Sequence, residues 1–405
     1  MKRFLLATGL LGLAVSTAVA AGEPVDAPTW RIGGYGTLGA GYHRSDGVTY
    51  RRDLEQAGGI ESRKIGFRAD TRLGVQLVGT FSPRWSATVQ GLSRLNNEGS
   101  WEPSLAWGFV RYSPREGMDI RVGRLGVDIY PDGDSRHVGY ANTGARSPVE
   151  LFGMVTQDRF DGIDVALHQP MGDGLASFKL YGGRSRGDFF LYNQSITPAD
   201  SQTVGATLEW AGEALTLRAA WVDIYGKGDY SLQTVQRALL SVPLPEAQLR
   251  ASQIKTAHHL TFAAISAQYE NGPFSLQTIF GWERFSQFPS YEGWGANVVA
   301  AYRMGAWKPY VSYGRVSFDS GGRSLTLPGS LAALQSAYQT VVDRLNMHQR
   351  SVGIGVRYDF APDYALKLQA DHVKASDSAL LIDATGMPAR DVSLTLYSVV
   401  LDFVF

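Results

Sequence analysis

The sequence predicts an all-β protein: a transmembrane antiparallel β-barrel of about sixteen strands, with short periplasmic turns and long extracellular loops. Three observations carry this. Apolar residues recur with a period of two rather than 3.6. Short and long connections alternate strictly along the chain. Beyond the N-terminus no stretch approaches the ~18 unbroken apolar residues of a membrane helix. A chain of this kind that crosses a bilayer does so only as a closed barrel.

The first twenty residues read as a secretory signal. Lys2 and Arg3 precede the apolar run Phe4 to Val15, and Ala18-Val19-Ala20 supplies the small-residue cleavage site. Residues 21–29 are a short N-terminal segment, and 30–405 a single barrel domain. Lys and Arg number 38 and balance 38 Asp and Glu. No basic surface therefore speaks for nucleic acid. The absence of Cys excludes disulfides and thiol chemistry.

Alternation is clearest in the second strand, Arg72 to Leu77, the third, Trp85 to Gly91, and the eleventh, beginning Phe274-Ser275-Leu276. The fourteenth, Ser351 to Tyr358, and the fifteenth, Tyr364 to Gln369, repeat it. Successive side chains point to opposite faces, so each strand has one apolar face and one polar or glycine face. Tight-turn residues mark seven short connections, among them Pro114 to Met118, Pro170 to Gly174, Asn271-Gly272-Pro273 and Met304-Gly305-Ala306. Eight long ones lie near 43–63, 96–103, 125–160, 184–201, 226–257, 285–291, 319–349 and 376–391. Segments 231–254 and 331–345 carry helical rather than strand periodicity, with Pro243 and Pro245 splitting the first.

Aromatics gather at strand ends. Trp30, Trp85, Trp210, Tyr302, Trp307, Phe360, Tyr364 and Phe405 mark the short-turn side, and Tyr42, Trp221, Trp282 and Trp294 the long-loop side. Two girdles at the headgroup levels account for this spacing. The last strand places Tyr397, Val399, Leu401, Phe403 and Phe405 on one face. A terminal Phe on such a face looks like the signal by which outer-membrane barrels engage their assembly machinery.

At this point the chain resembles the Gram-negative outer-membrane porins of the sixteen-stranded, general-diffusion type. The most specific piece is Asp119-Ile120-Arg121-Val122-Gly123-Arg124-Leu125, followed by a long segment and then Asp161-Gly162-Ile163-Asp164. Within that segment Pro148-Val149-Glu150-Leu151-Phe152-Gly153 is similar to the Pro-Glu-Phe-Gly turn of the porins' third loop, with Val and Leu intervening. The resemblance implies that 125–160 folds into the barrel and narrows it. It also implies a homotrimer in lipid and lipopolysaccharide, a Gram-negative outer-membrane location, and passive passage of ions and small hydrophilic solutes, with no cofactor. The alternative is a substrate-specific channel whose vestibule is built from 226–257 and 319–349.

Alternation also sorts the charges, because a charge at mid-depth on the lipid face costs ~2–4 kcal/mol. Arg68, Arg72, Arg94 and Arg121 turn inward from the second, third and fifth strands and would form a basic ladder. The infolding loop would oppose it with Asp128, Asp132, Asp134 and Glu150, with Arg124, Arg136 and Arg146 nearby. Lys179, Arg218, Lys308, Arg357, Lys367, Asp164, Glu209, Glu283, Asp359, Asp371 and Asp402 also face the lumen. The seven His residues lie mostly in or next to loops, and the His258-His259 pair lacks a second cluster of metal ligands. The sequence therefore predicts neither an enzyme nor a metal site.

Overall fold

The computed structural model describes residues 27–405 apart from 132, 154–156, 186, 192–193, 197–200, 228–229, 256, 286–289, 321–323 and 344–345. The expected secretory signal, residues 1–20, and Asp132 lie outside the described residues.

A closed antiparallel barrel of 16 strands forms the body. The strands are β1 (Thr29–Tyr42), β2 (Arg72–Ser82), β3 (Trp85–Arg94), β4 (Ser104–Arg115), β5 (Met118–Gly126), β6 (Arg159–Met171), β7 (Gly174–Ser185) and β8 (Ser201–Ala211). Then follow β9 (Leu215–Lys227), β10 (Ala257–Asn271), β11 (Phe274–Phe285), β12 (Tyr291–Tyr302), β13 (Trp307–Ser320), β14 (Met347–Ala361), β15 (Tyr364–Asp383) and β16 (Pro388–Val404). Each strand pairs with its neighbours in sequence. β1 closes the ring on β16, from Tyr35 opposite Val404 to Tyr42 opposite Tyr397. Closure leaves no edge, so every strand satisfies its backbone inside a bilayer.

The local chemistry explains the turns. Four of the short ones place a glycine at positive φ: Gly117 at 72°, Gly172 at 64°, Gly272 at 57° and Gly305 at 62°. That conformation is cheap only without a Cβ. The outer face is the apolar one. Leu73, Val89, Val122, Leu208, Ile265, Val352 and Ile354 are exposed, as is the short-turn girdle of Trp30, Trp85, Tyr302, Trp307, Phe360, Tyr364 and Phe405. On a soluble protein such a surface would aggregate; around a barrel it is the lipid contact.

The loops form two further layers. The loop after β1, residues 43–71, folds over the mouth and packs Tyr50, Leu54 and Ile60 against Met347, Leu380, Leu381 and Leu396. Two short strand segments in it, Val48–Tyr50 and Ile60–Glu61, pair with each other, and the first extends the sheet from β15. Higher up, α2 (Tyr230–Leu240), α3 (Pro245–Gln253) and α4 (Ala332–Asp343) share a core of Val235, Leu239, Ala247, Ala251, Tyr338 and Val342. The helical periodicity of 231–254 and 331–345 is thus realised, with Pro245 opening α3 at its first turn. This cap has its own hydrophobic core, so deleting 332–343 should leave the barrel folded, with its heat-modifiable gel mobility intact. The expected loss is cap order, read as proteolytic cleavage within 230–253. Protection of that segment in the deletion variant would overturn the shared core.

One loop is corrected. Residues 376–391 are mostly strand, with β15 and β16 running on to a tight turn at 384–387. The reason is burial: Leu380 and Leu381 are fully covered by the loop after β1, and Arg51 donates its backbone N–H to Leu380.

Candidate pore constriction

The loop between β5 and β6, residues 127–158 and here called L3, enters the barrel and is braced on all sides. It begins apolar. Leu125, Val127, Ile129 and Tyr130 pack on Phe160, Tyr181, Val222, Ile224, Phe262 and Ile279, which face inward from β6, β7, β9, β10 and β11. Asp128 then accepts from Lys179 on β7 at 2.6 Å and pairs with Arg218 on β9. Across the lumen, the carbonyl of His137 accepts from Arg72 on β2 at 2.6 Å.

The tip, residues 139–145, lies on the opposite wall. There β13, β14 and β15 align three inward cations in register: Lys308 opposite Arg357, and Arg357 opposite Lys367. Arg357 donates to the carbonyls of Tyr140 at 2.6 Å and Asn142 at 3.0 Å. Lys367 donates to those of Gly139 at 2.7 Å and Gly144 at 3.0 Å, and pairs with Asp402 at 2.9 Å. Lys308 reaches the Thr143 hydroxyl at 3.3 Å. The Tyr140 hydroxyl donates to the carbonyl of Pro362, at a periplasmic turn. L3 therefore runs through most of the barrel height. Its carbonyls serve as counter-dipoles for a basic row that would otherwise repel itself.

After the tip, Arg146 ties three elements together. It pairs with Asp70 at 2.7 Å and Asp371 at 3.3 Å, donates to Ser398 Oγ at 2.8 Å, and lies over the Tyr50 ring. A short helix, α1 (Val149–Phe152), follows the Pro148 turn. Glu150 accepts from Gln349 at 3.2 Å, and Leu151 packs on Gly295.

The predicted site residues separate into groups. Arg72 and Arg94 do face each other across β2 and β3. Arg94, however, is paired with Asp53 at 3.2 Å and with Glu55, and Arg136 joins them through Glu55 and Asp158, both at 3.2 Å. Arg121 lies apart, locked on Asp164. Arg68 departs from the expectation. It stands exposed in the loop before β2 and donates to the carbonyl of Gly99, because pairing of β2 with β3 starts only at Arg72. Arg124 is corrected as well. It shares the outer face with Val122 and pairs with Asp161 at 2.7 Å, since Leu125 takes the inward position on the L3 core. The continuous ladder is thus reduced to one pair. Asp134 stands half-buried near Asp128 and Gly126. Burial pushes its carboxyl up against the pull of Lys179, and Asp128 adds to the rise. Half-buried inward groups, Arg111, Asp119, His168 and Glu209, line the wetter wall.

Sequence reasoning missed the inward apolar set. A strict wet-wall rule assigns no role to Phe160, Tyr181 or Phe262 on the lumen side. A signal existed: Val222 and Ile224 share the face opposite Trp221, so one strand is apolar on both faces.

The network around His137 predicts an acid response. Burial, with Arg94 and Arg136, holds the His137 imidazole well below its ordinary range. Burial opposes ionisation of Asp158, but Arg136, Arg159 and His137 outweigh it and hold that carboxyl well below its usual range. A base depressed in the folded state costs stability as pH falls below its free pKa of about 6.5. A depressed carboxylate contributes stability above about pH 4, and this is lost as pH falls further. Both signs agree. Acidification from pH 7 to 4 should loosen L3, seen as rising open-channel noise; noise flat across that range would refute it.

These features (a closed ring, outer girdles and an inward third loop) can be set beside solved structures. OmpF of Salmonella typhi, in complex with daunomycin, matches at TM-score 0.55 and 12% identity, over 95% of this chain and 100% of that one. The anion-selective porin of Comamonas acidovorans matches at 0.54 and 12%, over 93% and 100%. OmpT of Vibrio cholerae, an outer-membrane protein in trimer form, matches at 0.56 and 10%, over 94% and 100%. The chain has the porin fold. No family model and no curated protein matches the sequence. A porin barrel needs only alternation and turns, which many sequences satisfy, so the fold persists at 10–12% identity.

Proposed function

We propose that the protein is a porin of the Gram-negative outer membrane, forming a water-filled channel for passive diffusion of ions and small hydrophilic solutes. One observation carries this: a lipid-facing apolar belt encloses a charged inner wall whose passage is narrowed by L3. The residues set to govern passage are Arg72, Arg94, Arg121, Asp128, Asp134, Arg136 and Glu150, with Arg146 and Lys367 holding the loop. A homotrimer, contact with lipopolysaccharide, and assembly through the Tyr397 to Phe405 face belong to the same reading.

Because Arg94, Arg121, Arg146, Lys179, Arg218 and Lys367 each face a carboxylate, the field along the lumen is nearly balanced. Weak ion selectivity follows, as rings of unpaired charge are what set strong preference. In planar bilayers under a salt gradient the reversal potential should stay near zero, and Arg72→Ala should move it little. A strongly anion-selective channel would contradict this.

A non-enzymatic role fits the lumen. Ser177, His168 and Asp119 are lined up on β7, β6 and β5, with Ser177 to His168 at 2.8 Å. His168 to Asp119 is 3.9 Å, too long for a hydrogen bond, and both strands commit their backbone to the sheet. The backbone N–H groups of these strands are spent in the ladder, so none is free as an oxyanion donor.

The second reading, a substrate-specific channel, is favoured by the cap of α2, α3 and α4. Saturable block of single channels by one solute, abolished by deleting 332–343, would select it.

A further inference from the structure

The basic row that binds L3 inside the barrel has a counterpart outside. On the same three strands, β13, β14 and β15, Arg315 stands opposite Arg350 and Arg350 opposite Lys374. All three are exposed and share the outer face with Tyr313, Val352 and Ile354. Among the described residues no carboxylate lies within ion-pair distance of any of them. The acids one step further out, Asp319 and Asp377, are both engaged with His348, at 3.1 and 2.9 Å. Elsewhere on the outer face cations have an acid beside them: Arg124 pairs with Asp161, which Arg184 also stands opposite, and Arg284 has Glu292.

The height of the row is readable from the strands. Ten residues separate Tyr364, in the short-turn girdle, from Lys374, and ten separate Phe360 from Arg350. At ~3.3 Å per residue and a tilt near 40°, that is about 25 Å of membrane normal, the thickness of a barrel's apolar belt. The three cations therefore stand at the headgroup level of the outer leaflet. Arg315 is held there by the Trp294 ring, its guanidinium 5.5 Å from the centroid.

Three like charges directly opposite one another across strands repel. Inside the barrel the same arrangement is answered by carbonyls of L3 and by Asp359 and Asp402. Outside, nothing described on this chain answers it. We propose that Arg315, Arg350 and Lys374 form a binding site for a phosphorylated lipid headgroup of the outer leaflet, the phosphate bridging the row and the acyl chains lying on Val352 and Ile354. The site deepens the outer-membrane reading and rests on it.

Refolded, detergent-solubilised full-length protein tests this with bisphosphorylated lipid A and its dephosphorylated form, each titrated separately and read by native mass spectrometry. The wild type should retain the phosphorylated form at least tenfold more tightly. The triple variant Arg315→Gln, Arg350→Gln, Lys374→Gln should lose that preference, weakening binding on the order of a hundredfold. Arg124→Gln with Arg184→Gln should not. Millimolar inorganic phosphate should leave the lipid bound; displacement by it would mean that free phosphate, not a lipid headgroup, is the ligand. Equal retention of both lipid forms by the wild type overturns the site without any variant. Single-channel conductance and heat-modifiable mobility of the same samples report on the porin reading separately, since neither depends on the outer row.

Discussion

Replacing Arg146 with alanine is expected to release L3 from the wall and raise single-channel conductance. Arg146 is almost wholly buried and holds Asp70 from the loop after β1, Asp371 on β15 and Ser398 on β16. Its removal leaves two carboxylates in a dry setting without their cation. Breaking a buried pair from one side costs roughly 3–5 kcal/mol. The barrel can spare that, because its ladder is closed and independent of the loop. L3 is more exposed to the loss, because Arg146 is the charged tie of its second half to both neighbouring layers, leaving the weaker links of Glu150 to Gln349 and Gly153 to Leu54. Bilayer recordings should show larger and noisier openings, with heat-modifiable mobility unchanged. Conductance equal to wild type would mean that L3 is held in place by its remaining contacts without Arg146.

The second large effect concerns the tip. A Cβ on Gly139 would run into the Asp402 carboxylate and the Thr37 hydroxyl, which are themselves hydrogen-bonded to each other at 2.6 Å. Gly139→Val therefore cannot keep the tip on the wall between β1 and β16. Displacing it also strips Lys367 of the Gly139 carbonyl. Overpacking of a fixed wall typically costs 1–3 kcal/mol, and the lost hydrogen bonds to a buried ammonium add to it. The expected outcome is a tip pushed toward the axis, with conductance reduced rather than raised. Arg146→Ala and Gly139→Val thus move the same loop in opposite senses. A pair of variants that both enlarged the channel would show that the tip does not border the passage.

The reading of individual side chains succeeded where one rule acts alone. Lys179, Arg218, Lys308, Arg357 and Lys367 all face inward as alternation requires, since nothing but lipid lies on the other side. It failed where a second layer competes. Arg124 gave up the lumen because Leu125 was needed against Phe160 and Ile224. Arg68 never reached a strand because the loop after β1 extends to Thr71. The stretch 376–391 looked like a loop by composition, yet Leu380 and Leu381 gained burial by continuing the sheet. Glycines gave a similar split: Gly272 and Gly305 announce turns, whereas the demand on Gly139 comes from Thr37 and Asp402, each more than a hundred positions away.

By itself, then, the sequence determined the barrel, its strand number, its direction and its two girdles. Each follows from local periodicity and turn chemistry, because a bilayer imposes the same apolar demand on every strand. Only the tertiary structure decided where L3 goes and which charges meet there. Those pairings join residues from β1, β2, β13, β14, β15 and β16 to one loop, and no period in the chain encodes them. They are fixed by burial in the lumen, where each cation must find a carboxylate or a carbonyl before it can leave water.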